Sequence, residues 1–365
     1  MYDVIIIGAG PAGTAAGFDL VSAGYSVLLL DRRYFPRKKA CAGGITPKAL
    51  DLFAYDISGF IEQTCYEVKV RRPGGRCFTV KDSRPLCYMT RRRDLDMFSL
   101  NKVVGAGGRF RKTGPISAVS QEEDHVAVHT PEGRLAARYL IGADGANSRV
   151  RQMAVRPRTR YHIRKCPALE ADVYVNNAQG FKMEFDFSQG IPGYYWIFPK
   201  KAHVSIGIFA ADRNVPMTAR HLADYAARRL GTDRLRNIKG YPIGVDGRGT
   251  FSGRKPGAGR VLLAGDSAGV AEPMLGEGIY YALKSGQLAA AAIIRALEGG
   301  RPALTSYHYS MARVRLDLGL YSLGAGLLYR IPGPCLGLAK FKGVHGYFSR
   351  GYAAGRSLSG IVFPF

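Results

Sequence analysis

Tyr2 to Ile7 is a largely apolar run, followed by a glycine-rich turn, a helix-like stretch to Ala23 and a second run, SVLLLD, at 26–31. Apolar runs of this length on either side of a helix predict strands buried on both faces, so the chain opens on a βαβ unit. The period changes at 65–83, where CYEVKVRR, a PGGR turn and CFTVKD alternate as the arms of a hairpin do. A helix is expected from about Asp94 to Val104, and a second hairpin around the PEG turn at 131–133 runs into YLIGADG. Between Glu170 and Phe209 the short alternating runs EADVYV, FKMEFDF, YYWIFP and HVSIGIF predict antiparallel sheet. Thr218 to Leu230 reads as helix. VLLAGD at 261–266 restores a buried strand, and a long Ala-rich helix is expected from about Leu275 to Leu297. No internal repeat or low-complexity tract interrupts this order.

Composition adds a core and a charge. With 365 residues, 47% of them apolar, the chain can bury a large two-domain interior. Lys and Arg number 52 against 28 Asp and Glu, a formal net charge of +24, which points to an acidic partner. Nucleic acid, anionic lipid head groups, a diphosphate-bearing substrate and an acidic electron-transfer protein all qualify, nucleic acid least, because no recognised binding fold accompanies the charge. The six cysteines (Cys41, Cys65, Cys77, Cys87, Cys166, Cys335) form no CxxC and no metal-like spacing with the seven histidines, so free thiols and no metal site are expected. The N-terminus enters a strand without a charged leader, which suggests a protein that starts in the cytosol. The nearest approach to a membrane span, residues 316–339, is broken by Arg330, Pro332 and Pro334, and is expected to lie on a membrane without crossing it.

The first chemical motif is GAGPAG at 8–13. Gly8 permits the tight turn, Gly10 lets a pyrophosphate approach the backbone, Gly13 lets helix and strand pack closely, and Ala12 belongs to the same cradle. Asp31, at the end of the second strand, is placed to take the adenosine ribose hydroxyls. An acid there favours FAD or NAD over NADP.

Two distant segments resemble known fingerprints. IGADGANSRVR at 141–151 and AGDSAGVAEPMLGEG at 264–278 resemble the DG and GD segments of the flavoprotein class that includes aromatic hydroxylases and geranylgeranyl reductases. That resemblance implies FAD. It implies contacts from Asp144 and Gly145 in the first segment and from Gly265 and Asp266 in the second, with Asp266 at the ribityl chain or a nearby ribose. Pro273, Gly276, Gly278 and Ile279 would lie near the flavin ring, where the following helix N-terminus offers partial positive charge. Arg92, in RRRDLD at 91–96, matches the arginine of the class that approaches the ribityl or pyrophosphate region. CAGG at 41–44, GEGI at 276–279, and Tyr194, Trp196, Phe198 and Pro199 together resemble segments of the geranylgeranyl reductase family, the last its Tyr-x-Trp-x-Phe-Pro signature. In that family a GxG follows the signature; here Gly207 is present, but Phe209 stands where the second glycine would be.

The resemblance implies an α/β fold. A Rossmann-type FAD-binding domain (1–62, 84–150 and 250–310) would carry an inserted antiparallel-sheet substrate domain (63–83 and 151–249). Beyond the stretch the resemblance covers, a helical C-terminal region (311–365) is expected, membrane-interfacial on the strength of its broken apolar run and the net charge. The implied activity is reduction of carbon–carbon double bonds in a geranylgeranyl or other polyprenyl chain borne by a diphosphate, quinone, glycerolipid or chlorophyll precursor, with hydride delivered from flavin N5. Tyr194 and Cys41 are the candidate proton donors, with water a third. Trp196, Phe198, Gly43 and Gly44 are the candidate substrate contacts. With one strand–GxGxxG–helix unit in the chain, electrons are expected from transiently bound NADPH or from an acidic ferredoxin. An isoprenoid lipid substrate and the charge together suggest peripheral attachment to an anionic membrane surface, on its cytoplasmic face.

Each feature also has a plainer explanation. Tyr194, Trp196 and Phe198 alternate and share a face of a strand, as core aromatics do. Cys41 could be a small buried apolar residue, and Arg92 part of a solvated basic cluster. RPRTRYHIRK at 156–165 could be a solvated face or an anion site, and Glu272 and Glu277 helix-start caps or catalytic acids. A flavin monooxygenase or halogenase shares the FAD motifs, although Tyr194 and Phe198 depart from a halogenase's W-x-W-x-I-P segment. A flavin-bearing lipid-binding or electron-transfer protein is the third alternative.

Overall fold

The computed structural model describes residues 1–157, 159, 161–246 and 255–363; Arg158 and Arg160 of the basic stretch, and 247–254, lie outside the described residues. The opening βαβ unit is strand Tyr2–Ile7, helix Pro11–Ser22 and strand Val27–Asp31. Tyr2–Ile7 pairs in parallel with Val27–Asp31 on one side and Gly133–Gly142 on the other, in an eight-stranded sheet. The outer members Arg109–Lys112 and Val261–Leu263 continue the parallel order. Val4, Ile5, Ile6 and Leu28 to Leu30 are all buried, as the central strands of a parallel sheet packed against helices are. Pro11–Ser22, Arg92–Gly105 and Ile279–Leu297 are among these helices, and Gly286 brings the last against the first: a Cβ there would overlap the Ala12 carbonyl.

A seven-stranded sheet runs in the order Arg236–Asp246, Ile163–Val173, Val204–Ala210, Gly193–Pro199, Met183–Asp186, Glu67–Arg71, Cys77–Lys81. It is antiparallel except where Met183–Asp186 meets Glu67–Arg71 in parallel. The hairpin at 67–81 therefore completes the sheet formed by residues a hundred positions further on. Cys65 lies outside it, on Ile61–Cys65, which with Gly44–Ile45 and Cys87–Thr90 forms a three-stranded sheet. Period-two alternation divides the faces of the signature strand. Tyr195 and Ile197 turn, with Ile206 and Ile208, toward helix Ala219–Leu230, whose Thr218 cap accepts the His221 backbone N–H. Tyr194, Trp196 and Phe198 turn the other way.

Two boundaries differ from the periodicity. The helix expected from about Leu275 begins only at Ile279, because Gly276 is left-handed (φ +72°) and 272–278 is a clasped loop. The helix expected from Asp94 begins at Arg92. Helix Ala303–Ser310 leads into the C-terminal region, whose pattern did not delimit its helices Ala312–Arg330, Pro332–Ala339, Lys342–Ala353 and Leu358–Val362.

Candidate active site

A cavity of about 600 Å³ lies between the two large sheets and reaches the Gly-rich turn. Volumes of this size hold a drug-sized ligand. At one end Gly8 has φ +105° and faces the Ala143 carbonyl, while Gly13 faces the carbonyl of Gly8; a Cβ at either would overlap those oxygens. The turn can close on the helix only through glycine. Gly10 is the N-cap and offers no side chain, so the first backbone N–H groups of Pro11–Ser22 are left for an anion.

Carboxylates surround this end. Asp31 accepts the Ala9 N–H at 3.0 Å and the Arg33 N–H at 2.9 Å, which fixes it beside the turn. Asp144 accepts the N–H groups of Arg149 and Val150 through Oδ2, while its buried Oδ1 has no partner. Burial raises the pKa of Asp144 and of Asp266. A buried carboxylate oxygen without a donor, glycines whose Cβ positions are blocked and an uncapped helix start together fit a dinucleotide that brings hydroxyls and a pyrophosphate. Gly8, Gly10, Ala12, Asp31, Asp144, Gly145, Gly265, Asp266, Gly276, Gly278 and Ile279 all line the cavity. Gly13 and Pro273 do not; the first packs helix against turn and the second is buried. Arg92 lines it too, with its guanidinium bound to Asp96 (2.7 and 3.0 Å).

The other end is apolar. Tyr194, Trp196 and Phe198 form one wall, with Phe185 edge-on to Tyr194 and Phe198 at centroid distances of 5.2 and 5.5 Å. Trp196 sits opposite Gly207 in the sheet register, and its indole covers the glycine so closely that any Cβ would overlap the ring. Phe209 is fully buried against Tyr194, 5.4 Å between centroids, and a Cβ on Gly276 would stand 3.4 Å from its ring. The departure from the GxG pattern thus fills space between the aromatic wall and the 272–278 loop.

That loop is held from several directions. Glu272 accepts the N–H groups of Met274 (2.8 Å), Leu275 (2.5 Å) and Glu277 (3.0 Å). Burial pushes its pKa up to about 7 against the opposing pull of these donors. It is a loop clasp, and caps no helix. The Tyr194 hydroxyl donates to the Leu275 carbonyl and the Tyr329 hydroxyl to the Met274 carbonyl. Burial, with Glu272 and Cys41 nearby, holds the Tyr194 phenol far above its ordinary range. This hydrogen bond ties the aromatic wall to the loop. Glu277 accepts from Thr46 (2.6 Å) and pairs with the buried Lys48 (2.7 Å).

The 41–44 segment is pinned by a residue the sequence did not flag. Lys200, buried and with its pKa lowered by that burial, donates to the carbonyls of Ala42 (2.5 Å) and Thr90 (2.9 Å). Gly43 is left-handed (φ +71°) and abuts the Thr90 carbonyl, and Gly44 approaches Cys87 and Phe198. The Cys41 sulfur accepts the Gly43 N–H at 3.4 Å. Two further wall residues went unremarked: Lys39, lowered to about 7 by burial, lies over the Tyr241 ring. Glu170, raised to about 7 by burial, keeps Oε2 without a partner. Their separation along the chain leaves no motif to find. Tyr321 and Tyr352 from the C-terminal helices complete the lining.

The arrangement defines a nucleotide-binding oxidoreductase site joined to an apolar chamber, and comparison with known proteins agrees. A family model described as FAD binding domain matches residues 1–316. The chain is 30% identical over 313 residues to a geranylgeranyl diphosphate reductase of Rhodobacter capsulatus, covering 83% of this chain and 77% of that protein. It is 29% identical over 314 residues to digeranylgeranylglycerophospholipid reductase 1 of Methanopyrus kandleri, covering 81% of each. Among solved structures, a geranylgeranyl bacteriochlorophyll reductase-like protein of Thermoplasma acidophilum superposes with a TM-score of 0.75 at 20% identity, over 89% of this chain and 87% of that one. A flavin-dependent brominase reaches 0.74 at 19% identity, over 97% and 93%. At such identities the superpositions show the shared fold alone. The chain belongs to the FAD-binding-domain flavoproteins and, within them, to the geranylgeranyl reductase family. It is an FAD-dependent oxidoreductase.

Proposed function

We propose that this enzyme reduces carbon–carbon double bonds in a polyprenyl chain carried on a polar head group. One observation carries the reading: the aromatic wall Tyr194–Trp196–Phe198 and the Cys41–Gly44 segment line the same cavity as the dinucleotide cradle. A prenyl chain in the apolar end is thereby brought to the cofactor, each buried methylene contributing about 0.8 kcal/mol. When bound and reduced, FAD supplies the hydride for the alkene. The residues of the chain do the rest. Trp196, Phe198 and Phe209 exclude water and orient the alkene. Lys200 fixes the 41–44 segment, and Glu272 with Tyr194 fixes the 272–278 loop. The Cys41 thiol gives its proton to the second alkene carbon, the Arg92 guanidinium balances the sulfur left behind, and water returns the proton. The Arg37, Lys38, Lys39 and Lys239 rim of the cavity supports an anionic head group or an anionic electron donor, NADPH or an acidic ferredoxin. The charge of +24 supports work at the cytoplasmic face of an anionic membrane. Among the described residues no helix is long and apolar enough to cross one.

The test is anaerobic. The reduced flavoprotein is mixed with geranylgeranyl diphosphate and, separately, a geranylgeranyl glycerolipid, and flavin reoxidation is followed beside product mass. Reoxidation with products heavier by two hydrogens per bond is expected. Turnover only with oxygen, giving a hydroxylated or halogenated product, would replace this reading with the monooxygenase or halogenase alternative. Flavin reduction by a donor without any lipid product would leave an electron-transfer protein.

A further inference from the structure

Ten of the seventeen exposed large apolar residues among the described residues fall between Leu316 and Phe363. Their arrangement on Ala312–Arg330 is two-faced. Val314, Leu318, Tyr321, Ala325 and Leu328, spaced by four and three, are buried, and Tyr321 reaches the cavity wall. Leu316, Leu323 and Leu327, spaced by seven and four, fall on the opposite side of a helix with 3.6 residues per turn and are exposed, Leu323 by 64% and Leu327 by 59%. Exposed Arg313 and Arg330 close the two ends of this stripe. The following helices extend it with Ile331, Leu338 (60% exposed), Phe341 (56%) and Phe348.

Charge accompanies the apolar surface. Residues 311–365 contain seven Lys and Arg and one acid, Asp317. That acid is buried and accepts the Ser359 N–H at 2.7 Å, so its carboxylate faces inward. Lys340 and Lys342 flank Phe341, and Arg350 follows Phe348, all exposed. Soluble surfaces rarely concentrate so many exposed large apolar residues in one segment without a partner. Leucine and phenylalanine edged by cations, with no outward acid, match the boundary of a bilayer with anionic head groups.

We infer that the C-terminal helices 312–353 are the docking surface for an anionic lipid bilayer, with Leu323, Leu327, Leu338 and Phe341 inserted below the head groups. The inference rests on the proposed prenyl-lipid substrate for its purpose, though the surface itself is read from exposure and charge. The inward faces of the same helices supply Tyr321 and Tyr352 to the cavity, and Tyr329 holds the 272–278 loop. The docked helices therefore meet the bilayer on one side and contribute to the chamber on the other.

The test uses the full FAD-loaded protein and flotation with vesicles of equal parts phosphatidylglycerol and phosphatidylcholine, beside pure phosphatidylcholine. Wild type should float with the anionic vesicles and release as salt rises. Leu323→Glu/Leu327→Glu should weaken partitioning by about tenfold or more, since two inserted leucines become charges. Lys340→Glu/Lys342→Glu should weaken it to a similar extent at low salt and converge with wild type at high salt. Both variants should keep wild-type flavin content and melting. Unchanged flotation of both variants would overturn the assignment, as would wild-type binding equal on neutral vesicles. A dimer in light scattering that L323E/L327E dissociates, without vesicle binding, would overturn it in favour of a contact between two copies. Flavin reoxidation by soluble geranylgeranyl diphosphate is read separately. Its failure with vesicle binding intact would count against the substrate and leave the docking surface standing.

Discussion

Phe209→Ala probes the departure that separates this chamber from the glycine of the family pattern. The ring is fully buried and wedged between Tyr194 and Gly276. Losing the transfer of a phenylalanine side chain costs about 2 kcal/mol. Emptying a volume on the order of 100 Å³ adds about 2.4 kcal/mol at about 24 cal/mol per Å³. The sum, about 4 kcal/mol, lies within the usual range for Phe→Ala in a core. Because Phe209 also lines the cavity, the emptied volume is continuous with the chamber and a bulkier ligand can fill it. The substitution should therefore do two things at once. Denaturant titration should show a loss of about 3–5 kcal/mol without ligand, and less with a saturating bulky prenyl ligand. Anaerobic reoxidation should shift the kcat/KM ratio of a prenylquinone over geranylgeranyl diphosphate upward by about tenfold, the equivalent of 1.4 kcal/mol. A stability loss below about 1 kcal/mol, or an unchanged substrate ratio, would show that Phe209 does not shape the chamber.

Trp196→Ala should lower alkene reduction by at least an order of magnitude while FAD stays bound, measured by flavin absorbance after gel filtration; loss of FAD or of folding would make Trp196 a core residue only. Asp31→Ala removes the acceptor for the Ala9 and Arg33 N–H groups and should weaken FAD binding roughly tenfold or more in fluorescence titration, with the prenyl-dependent step unaffected once FAD saturates. Glu170 binds its proton more tightly folded (about 7) than unfolded (4.5), so its contribution is present below pH 4.5 and lost as pH rises through about 7. Glu170→Gln should therefore flatten the fall in denaturant midpoint across that window and leave the variant more stable at pH 8, on the order of 1–2 kcal/mol; a variant less stable than wild type at pH 8 would show that the carboxylate has a partner.

The dinucleotide end was legible because its constraints are local. Gly8, Gly10 and Gly13 sit in one strand–turn–helix unit, where Gly13 meets the Gly8 carbonyl, and Asp31 follows at the end of the next strand, although Gly8 also meets the distant Ala143 carbonyl. The shared face of Tyr194, Trp196 and Phe198 followed from alternation alone. What escaped were bonds between distant segments. Lys200 lies 158 residues from Ala42 and 110 from Thr90, and no spacing rule connects them. The helix start at Ile279 escaped because Leu275 continues an apolar run, while the left-handed Gly276 and the Glu272 clasp that stop the helix are tertiary features. A helical C-terminal region was expected, but the bounds of its individual helices escaped for the opposite reason. Ala312–Arg330 is apolar on both sides, so its pattern has no polar face to set the period.

Tyr194 gives the clearest case of a role that only the assembled chain could assign. From its position it was a candidate acid on an aromatic wall. Its hydroxyl and the carboxylate of Glu272 instead grip the same residue from opposite ends, one at the Leu275 carbonyl and the other at the Leu275 N–H. Tyr329, on the helix whose outer side carries the exposed leucines, takes the neighbouring Met274 carbonyl. The loop that carries the second flavin motif is thus tied to the substrate sheet, to its own backbone and to the surface helix. For the proposed reduction, in which alkene and cofactor must meet at about 3–3.5 Å, a rigid loop matters because a small displacement there costs a large factor in rate. Because the Tyr194 hydroxyl is engaged there, the proposed proton transfer is assigned to Cys41, which lines the same cavity as Arg92.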